Sequence, residues 1–160
     1  MKKQTIVALM LAFLFAVNSF AFDTKDYSQM MDYIGRPAPS NYYIDFQDGT
    51  FAAYKSEVIQ FDGYSASSGV QTHDGKVDFV SILLVTKSDS IRNEQRELIT
   101  DFLSSKGFVL EEKKEPSAGQ RIFSYRKKGK IVVSLIETDK SITVDRSYRI
   151  VLMINARKGI

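Results

Sequence analysis

Two stretches of this chain repeat their apolar residues at helical spacing, and most of what surrounds them alternates or runs continuously apolar. Tyr27, Met30, Met31 and Ile34 fall at i, i+3, i+4 and i+7, which puts them on one face of a helix. Thr24 is placed to cap it, Gly35 stands where helices commonly stop, and Pro37 and Pro39 forbid its continuation. Ile91, Leu98, Ile99, Phe102 and Leu103 form the stripe of a second helix over about residues 90–106, which Gly107 closes.

The remaining pattern predicts strands. Residues 42–46 are aromatic and branched, and Asp48-Gly49 marks a turn before residues 50–54. Residues 57–64 read as a further strand, and Ser65-Ala66-Ser67-Ser68-Gly69 as a flexible connection. Residues 70–72 and 77–86 flank His73-Asp74-Gly75-Lys76, a strong hairpin signal. The apolar run of residues 79–85 lacks strict alternation, which predicts a central strand covered on both faces. In the second half, strands are expected at 108–113, 121–127, 131–137 and 148–155, with Lys128-Gly129 turning the middle pair. The last of these sets Ile150, Leu152 and Ile154 on one face and Arg149, Val151, Met153 and Asn155 on the other.

The predicted class is therefore α+β: two helices packed on an antiparallel β-sheet. The order helix, strands, helix, strands can be read as a degenerate duplication of an α-β-β-β unit. The layout resembles, in architecture only, the small periplasmic inhibitor and assembly-factor folds, with which it shares no motif.

The N-terminus changes where this domain is expected to work. Lys2 and Lys3 precede twelve apolar residues, 6–17, and then Asn18-Ser19-Phe20-Ala21-Phe22. A basic start, a short apolar run and small residues at 19 and 21 predict a signal peptide, residues 1–21, cleaved after Ala21. The run is shorter than the ~18 residues a spanning helix requires, so no stable membrane insertion is expected after cleavage. Residues 22–160 are then one periplasmic or secreted domain. The chain has no cysteine, so stability in an oxidising compartment must come from packing.

The net charge of +3 is partly the leader's, and it gives no ground for a nucleic-acid partner. Its distribution is more telling. Residues 22–90 carry five basic and ten acidic groups, a net of −5, whereas residues 91–160 carry fifteen basic and nine acidic, a net of +6. Such asymmetry creates oppositely charged faces unless the halves interleave.

Candidate chemistry is sparse. His73 is the only histidine, and a hairpin tip is a poor place for a general base, so it is read as an exposed turn residue whose replacement should be nearly neutral. With one histidine and no cysteine, a zinc site lacks its usual ligands. Gly63-Tyr64-Ser65-Ala66-Ser67 departs from a nucleophile elbow at its last position. Acidic residues cluster at Glu137, Asp139 and Asp145 and at Asp45 and Asp48, without the opposed environments that carboxylate catalysis needs. Residues 139–145 lack the glycine and terminal glutamate of an EF-hand loop. No glycine-rich phosphate loop occurs, and no cofactor is expected.

Two features point to binding. Six of the eight tyrosines precede residue 65, and tyrosine supplies large contact area at small entropic cost. Tyr42, Tyr43, Tyr54 and Tyr64 are the candidates for a recognition surface. Arg126, Lys127, Lys128 and Lys130 form the densest basic cluster, read either as a docking patch for an anionic partner or as a hairpin tip that keeps a sheet edge soluble. The expectation is an exported binding protein without catalytic machinery, engaging a protein partner of the inhibitor, immunity or envelope-assembly kind. The alternatives are an envelope-polymer hydrolase acting through carboxylates and a carrier of lipids or small ligands.

Overall fold

The computed structural model describes residues 24–61, 63–127 and 132–156. The expected leader, the cleavage point and the Lys128-Gly129 turn lie outside the described residues. Among the described residues, two helices, α1 (Thr24–Asp32) and α2 (Asp89–Ser105), accompany nine strands. The strands are β1 (Tyr43–Asp48), β2 (Phe51–Lys55), β3 (Ile59–Phe61), β4 (Tyr64–His73), β5 (Lys76–Thr86), β6 (Val109–Ser117), β7 (Gln120–Arg126), β8 (Val132–Thr138) and β9 (Tyr148–Asn155). They form one antiparallel sheet in the order β1-β2-β4-β5-β9-β8-β7-β6, with β3 pairing the start of β4. Each half of the chain thus begins at an outer edge and ends at the centre, where β5 and β9 lie side by side.

Both helices end as their glycines predict. Gly107 has φ +78°, its N–H donates to Ser104 O at 2.9 Å and the next N–H, of Phe108, donates to Leu103 O at 3.0 Å. These two bonds satisfy carbonyls left open by the last turn. At the other end of α2, the Ser88 hydroxyl accepts from Ile91 N–H at 3.3 Å. After α1, Gly35 at φ +80° donates to Val77 O at 2.8 Å and so ties the exit of the helix to the start of β5.

The core lies between the helices and one face of the sheet. Tyr27 of α1 and Ile99, Phe102 and Leu103 of α2 are buried with Val80, Ile82, Leu84, Ile150, Leu152, Ile154, Val133 and Leu135. Alternation puts every second residue of β4, β8 and β9 into this layer.

Three sequence expectations need correcting. Residues 57–64 are not one strand: β3 covers only Ile59–Phe61, and Gly63, at φ +86°, leads into β4. Residues 65–69 are not a flexible connection; they lie inside β4, paired with β5 throughout and with β2 and β3 on the other side. Small hydroxyl side chains lower strand propensity, yet here Ala66, Ser68 and Val70 face the helix side while Ser65 and Ser67 face away. Residues 79–85 are also not covered on both faces. Val80, Ile82 and Leu84 are buried beneath the helices, whereas Phe79, Ser81, Leu83 and Val85 are half-buried on the opposite face, where among the described residues neighbouring strands alone shield them.

Candidate interface on the open face of the sheet

The face opposite the helices is built from rows of side chains that run across the strands. One row is Ser67, Leu83, Val151, Ile136, Ile122 and Lys114, each paired with the next. Its centre is an apolar ridge of four. The adjacent row is Gly69, Ser81, Met153, Ser134, Ser124 and Glu112, mostly small residues. Beyond it run Gln71, Phe79, Asn155, Val132 and Arg126. Rows on one face are two residues apart, so the two flanking rows stand roughly 13 Å from each other. The row between them forms a shallow furrow that Met153, at its middle, interrupts.

The furrow widens at its β2 end into a cleft of about 350 Å³, lined among others by Tyr43, Asp45, Lys55, Gly69, Phe79 and Leu83. Lys55 Nζ lies 2.7 Å from Asp45 Oδ2 at its margin, and this hydrogen bond raises the Lys55 ammonium above its usual range. Gly69 keeps the floor low. A Cβ there would stand 3.1 Å from Ser81 Oγ and 3.3 Å from the Tyr54 carbonyl oxygen.

The expected tyrosines scatter. Tyr43 is 53% exposed on β1. Tyr64 is buried at 7% and stacks on Phe61 with centroids 4.6 Å apart. Tyr54 is half-buried against the core on the helix side. Tyr42 is also half-buried there, its hydroxyl bonded to Ser68 Oγ, which itself donates to Ser56 Oγ at 3.2 Å. Burial raises the Tyr42 hydroxyl pKa against the opposing pull of that Ser68 bond. Of the four candidate tyrosines only Tyr43 is exposed, and alternation along β4 sends Tyr64 inward.

Of the basic cluster, Arg126 Nε lies 3.1 Å from Glu111 Oε1, and Lys127 Nζ lies 5.8 Å from the Phe108 ring centroid. Both are exposed but already engaged. Lys128 and Lys130 lie outside the described residues. His73 is the last residue of β4, with Nδ1 2.8 Å from Asp78 Oδ2 and its ring 5.1 Å from Phe51. The expected free turn residue is thus pinned between an acid and an aromatic ring.

The acidic cluster has a specific geometry. Glu137 sits in a polar cleft of about 400 Å³ that Asp139 and Arg92 also line. Its Oε2 lies 2.7 Å from Arg121 Nη2 and its Oε1 3.7 Å from Arg96 Nε, although neither oxygen receives a well-aligned N–H. Asp139 accepts from Ser141 N–H at 2.9 Å, and that bond holds its carboxyl below the usual range. This geometry makes Asp139 a poor proton donor and gives Glu137 two cationic neighbours, an arrangement suited to an ion cluster that braces β7, β8 and α2. Among the described residues, no group of three or more metal-ligating side chains converges, and no helix is long and apolar enough to cross a membrane.

Sequence reading located Tyr43 and Arg126 on the accessible surface but missed the furrow. Gly69, Ser81, Ser134 and Ser124 carry no chemistry that attracts notice singly; the signal was the alternation of Ala66, Val70 and Thr72 with residues 65, 67, 69 and 71. No protein-family model, no curated protein and no solved structure matches this chain.

Proposed function

We propose that this is an exported binding protein that engages a partner protein across the open face of its sheet. The observation that carries the reading is the furrow with its apolar ridge of Leu83, Val151, Ile136 and Ile122, left uncovered by either helix. Contiguous apolar surface with a polar rim is characteristic of interaction sites, and here Lys55, Asp45, Glu112 and Lys114 supply the rim. The clefts are open and shallow, which favours a macromolecular partner over an enclosed lipid. Export rests on the basic, apolar and small-residue pattern of residues 1–21, and periplasm or extracellular space follows from it.

The same order of elements supports descent from a duplicated unit. Counting β2 and β3 as one interrupted strand beside β4, each half is a helix followed by four strand positions, one more than the α-β-β-β unit expected from the sequence.

The test is affinity capture from envelope extract by wild type and by Ser134→Arg, which fills the furrow without touching the core. We expect one protein retained by wild type and lost at least tenfold in the variant. Equal capture by both, or no protein specific to wild type, would overturn the reading. N-terminal sequencing of the exported chain, expected to start at Phe22, tests the leader.

A further inference from the structure

The two outer edges of the sheet are built on opposite lines. β6 carries Glu111, Glu112, Lys113, Lys114, Glu115 and Pro116, and its pairing with β7 is broken by two register shifts. Charges, proline and bulges are the devices by which an edge strand refuses new partners. β1 reads Tyr-Ile-Asp-Phe-Gln-Asp, without lysine, arginine or proline, and with a single register shift. Tyr43, Ile44 and Phe46 are 53%, 56% and 55% exposed. Pairing places Tyr43, Phe46 and Asp48 on the open face and Ile44 and Gln47 on the helix side, so apolar surface is offered on both sides of the strand. Among the described residues, β1 is paired only by β2.

We infer that the outer edge of β1 is a docking site for an extended segment of the partner protein, one that alternates basic and apolar residues and adds to the sheet as a further strand. The inference rests on the protein-binding reading above and names its mode. Main-chain bonds to β1 supply affinity, and alternate side chains supply selectivity. On the open face, lysine or arginine of the added strand meets the carboxylates of Asp45 and Asp48 and the rings of Tyr43 and Phe46. On the helix side, an apolar residue covers Ile44.

Charge decides between this occupant and a second copy of the chain. An antiparallel pairing of β1 with itself that keeps each face in phase sets Tyr43 opposite Asp48, Ile44 opposite Gln47 and Asp45 opposite Phe46. It leaves apolar groups facing polar ones and brings the two Asp45 side chains to diagonal positions, where like charges repel. Lys55 relieves only its own Asp45. A basic strand meets no such opposition, and the net −5 of residues 22–90 draws it in.

The experiment uses the folded chain and synthetic ten-residue peptides. The probe is an alternating Lys-Val peptide. Its comparisons are an alternating Glu-Val peptide, a Lys-Val peptide of the same composition in two blocks, and a backbone N-methylated form of the probe. Binding is titrated, and amide exchange is followed along the chain. We expect the alternating Lys-Val peptide to bind at least about tenfold tighter than each comparison. Amides of β1 should slow about tenfold while those of β6 remain unchanged, and Asp45→Asn with Asp48→Asn should weaken binding about tenfold. Equal binding of the block or N-methylated peptide, or protection on β6 or the open face in place of β1, overturns the inference. So does protection of β1 that rises with protein concentration alone, which identifies a second copy as the occupant. Partner capture that Ser134→Arg abolishes, without any protection of β1, sinks this mode and leaves the protein-binding reading standing.

Discussion

Arg121 Nη2 stands 2.7 Å from Glu137 Oε2, and among the described residues Glu137 is the only charged side chain that is buried. Removing the guanidinium leaves a desolvated carboxylate with Arg96 as its nearest cation, 3.7 Å away. Arg121→Ala should therefore cost about 2 kcal/mol, below the roughly 3–5 kcal/mol of a fully buried pair because Arg121 is partly exposed and Arg96 remains. Urea unfolding measures it. The double variant Arg121→Leu with Glu137→Leu should recover most of the loss; a double variant as unstable as the single would show that the charges themselves are needed.

Tyr64 and Tyr43 separate core from surface within one cluster of tyrosines. Tyr64→Ala empties a buried site against Phe61 and should cost about 3 kcal/mol, whereas Tyr43→Ala should stay within about 0.5 kcal/mol. Thermal melts of the two variants check this, and similar losses would contradict the burial described.

His73→Ala removes both the contact with Asp78 and the ring against Phe51. We expect a loss of about 1 kcal/mol, the scale of one modest polar contact. A denaturation midpoint unchanged from wild type would restore the free-turn reading.

Gly69→Ala should destabilise by about 1 kcal/mol through crowding of Ser81 Oγ and the Tyr54 carbonyl, since overpacking costs roughly 1–3 kcal/mol. A variant more stable than wild type would mean that the furrow floor has room to yield.

Asp139 and Asp145 are both held below the ordinary carboxyl value of 3.8, Asp139 by the Ser141 N–H and Asp145 by the Ser147 hydroxyl. A depressed folded-state pKa contributes stability above the unfolded value and loses it as pH falls through the folded one. Protection of the amides over residues 139–147, taken relative to the intrinsic exchange rate at each pH, should hence be unchanged from pH 7 to 5 and fall below about pH 4. A fall in protection that begins near neutrality would point to another titrating group.

The fold was legible where local chemistry and tertiary context agree. Ile99, Phe102 and Leu103 announce α2, and Asp74-Gly75 announces the β4–β5 hairpin, where both residues adopt positive φ of 50° and 73°. Legibility failed at residues 65–69, because a strand held by partners on either side tolerates residues with little strand propensity of their own. It failed again at residues 79–85, where half-burial by neighbouring strands permits apolar residues on an uncovered face. The candidate site was harder still. Ser81, Ser134 and Ser124 become a furrow only through pairing register between segments distant in sequence, and no local pattern contains that.

The place of β9 carries a consequence for how the molecule is assembled. Its residues are the last of the described strands to be synthesised, yet they occupy the middle of the sheet, hydrogen-bonded to β5 on one side and β8 on the other. Two meanders can form early from local contacts, but each then waits with its most apolar border open. β9 pairs with β8 as its neighbour in sequence, so closure is the docking of β9 on β5, a non-local step of the kind that slows folding. Until that step, the central borders of β5 and β9 stay open, and unpaired borders of this kind are where partly folded chains aggregate.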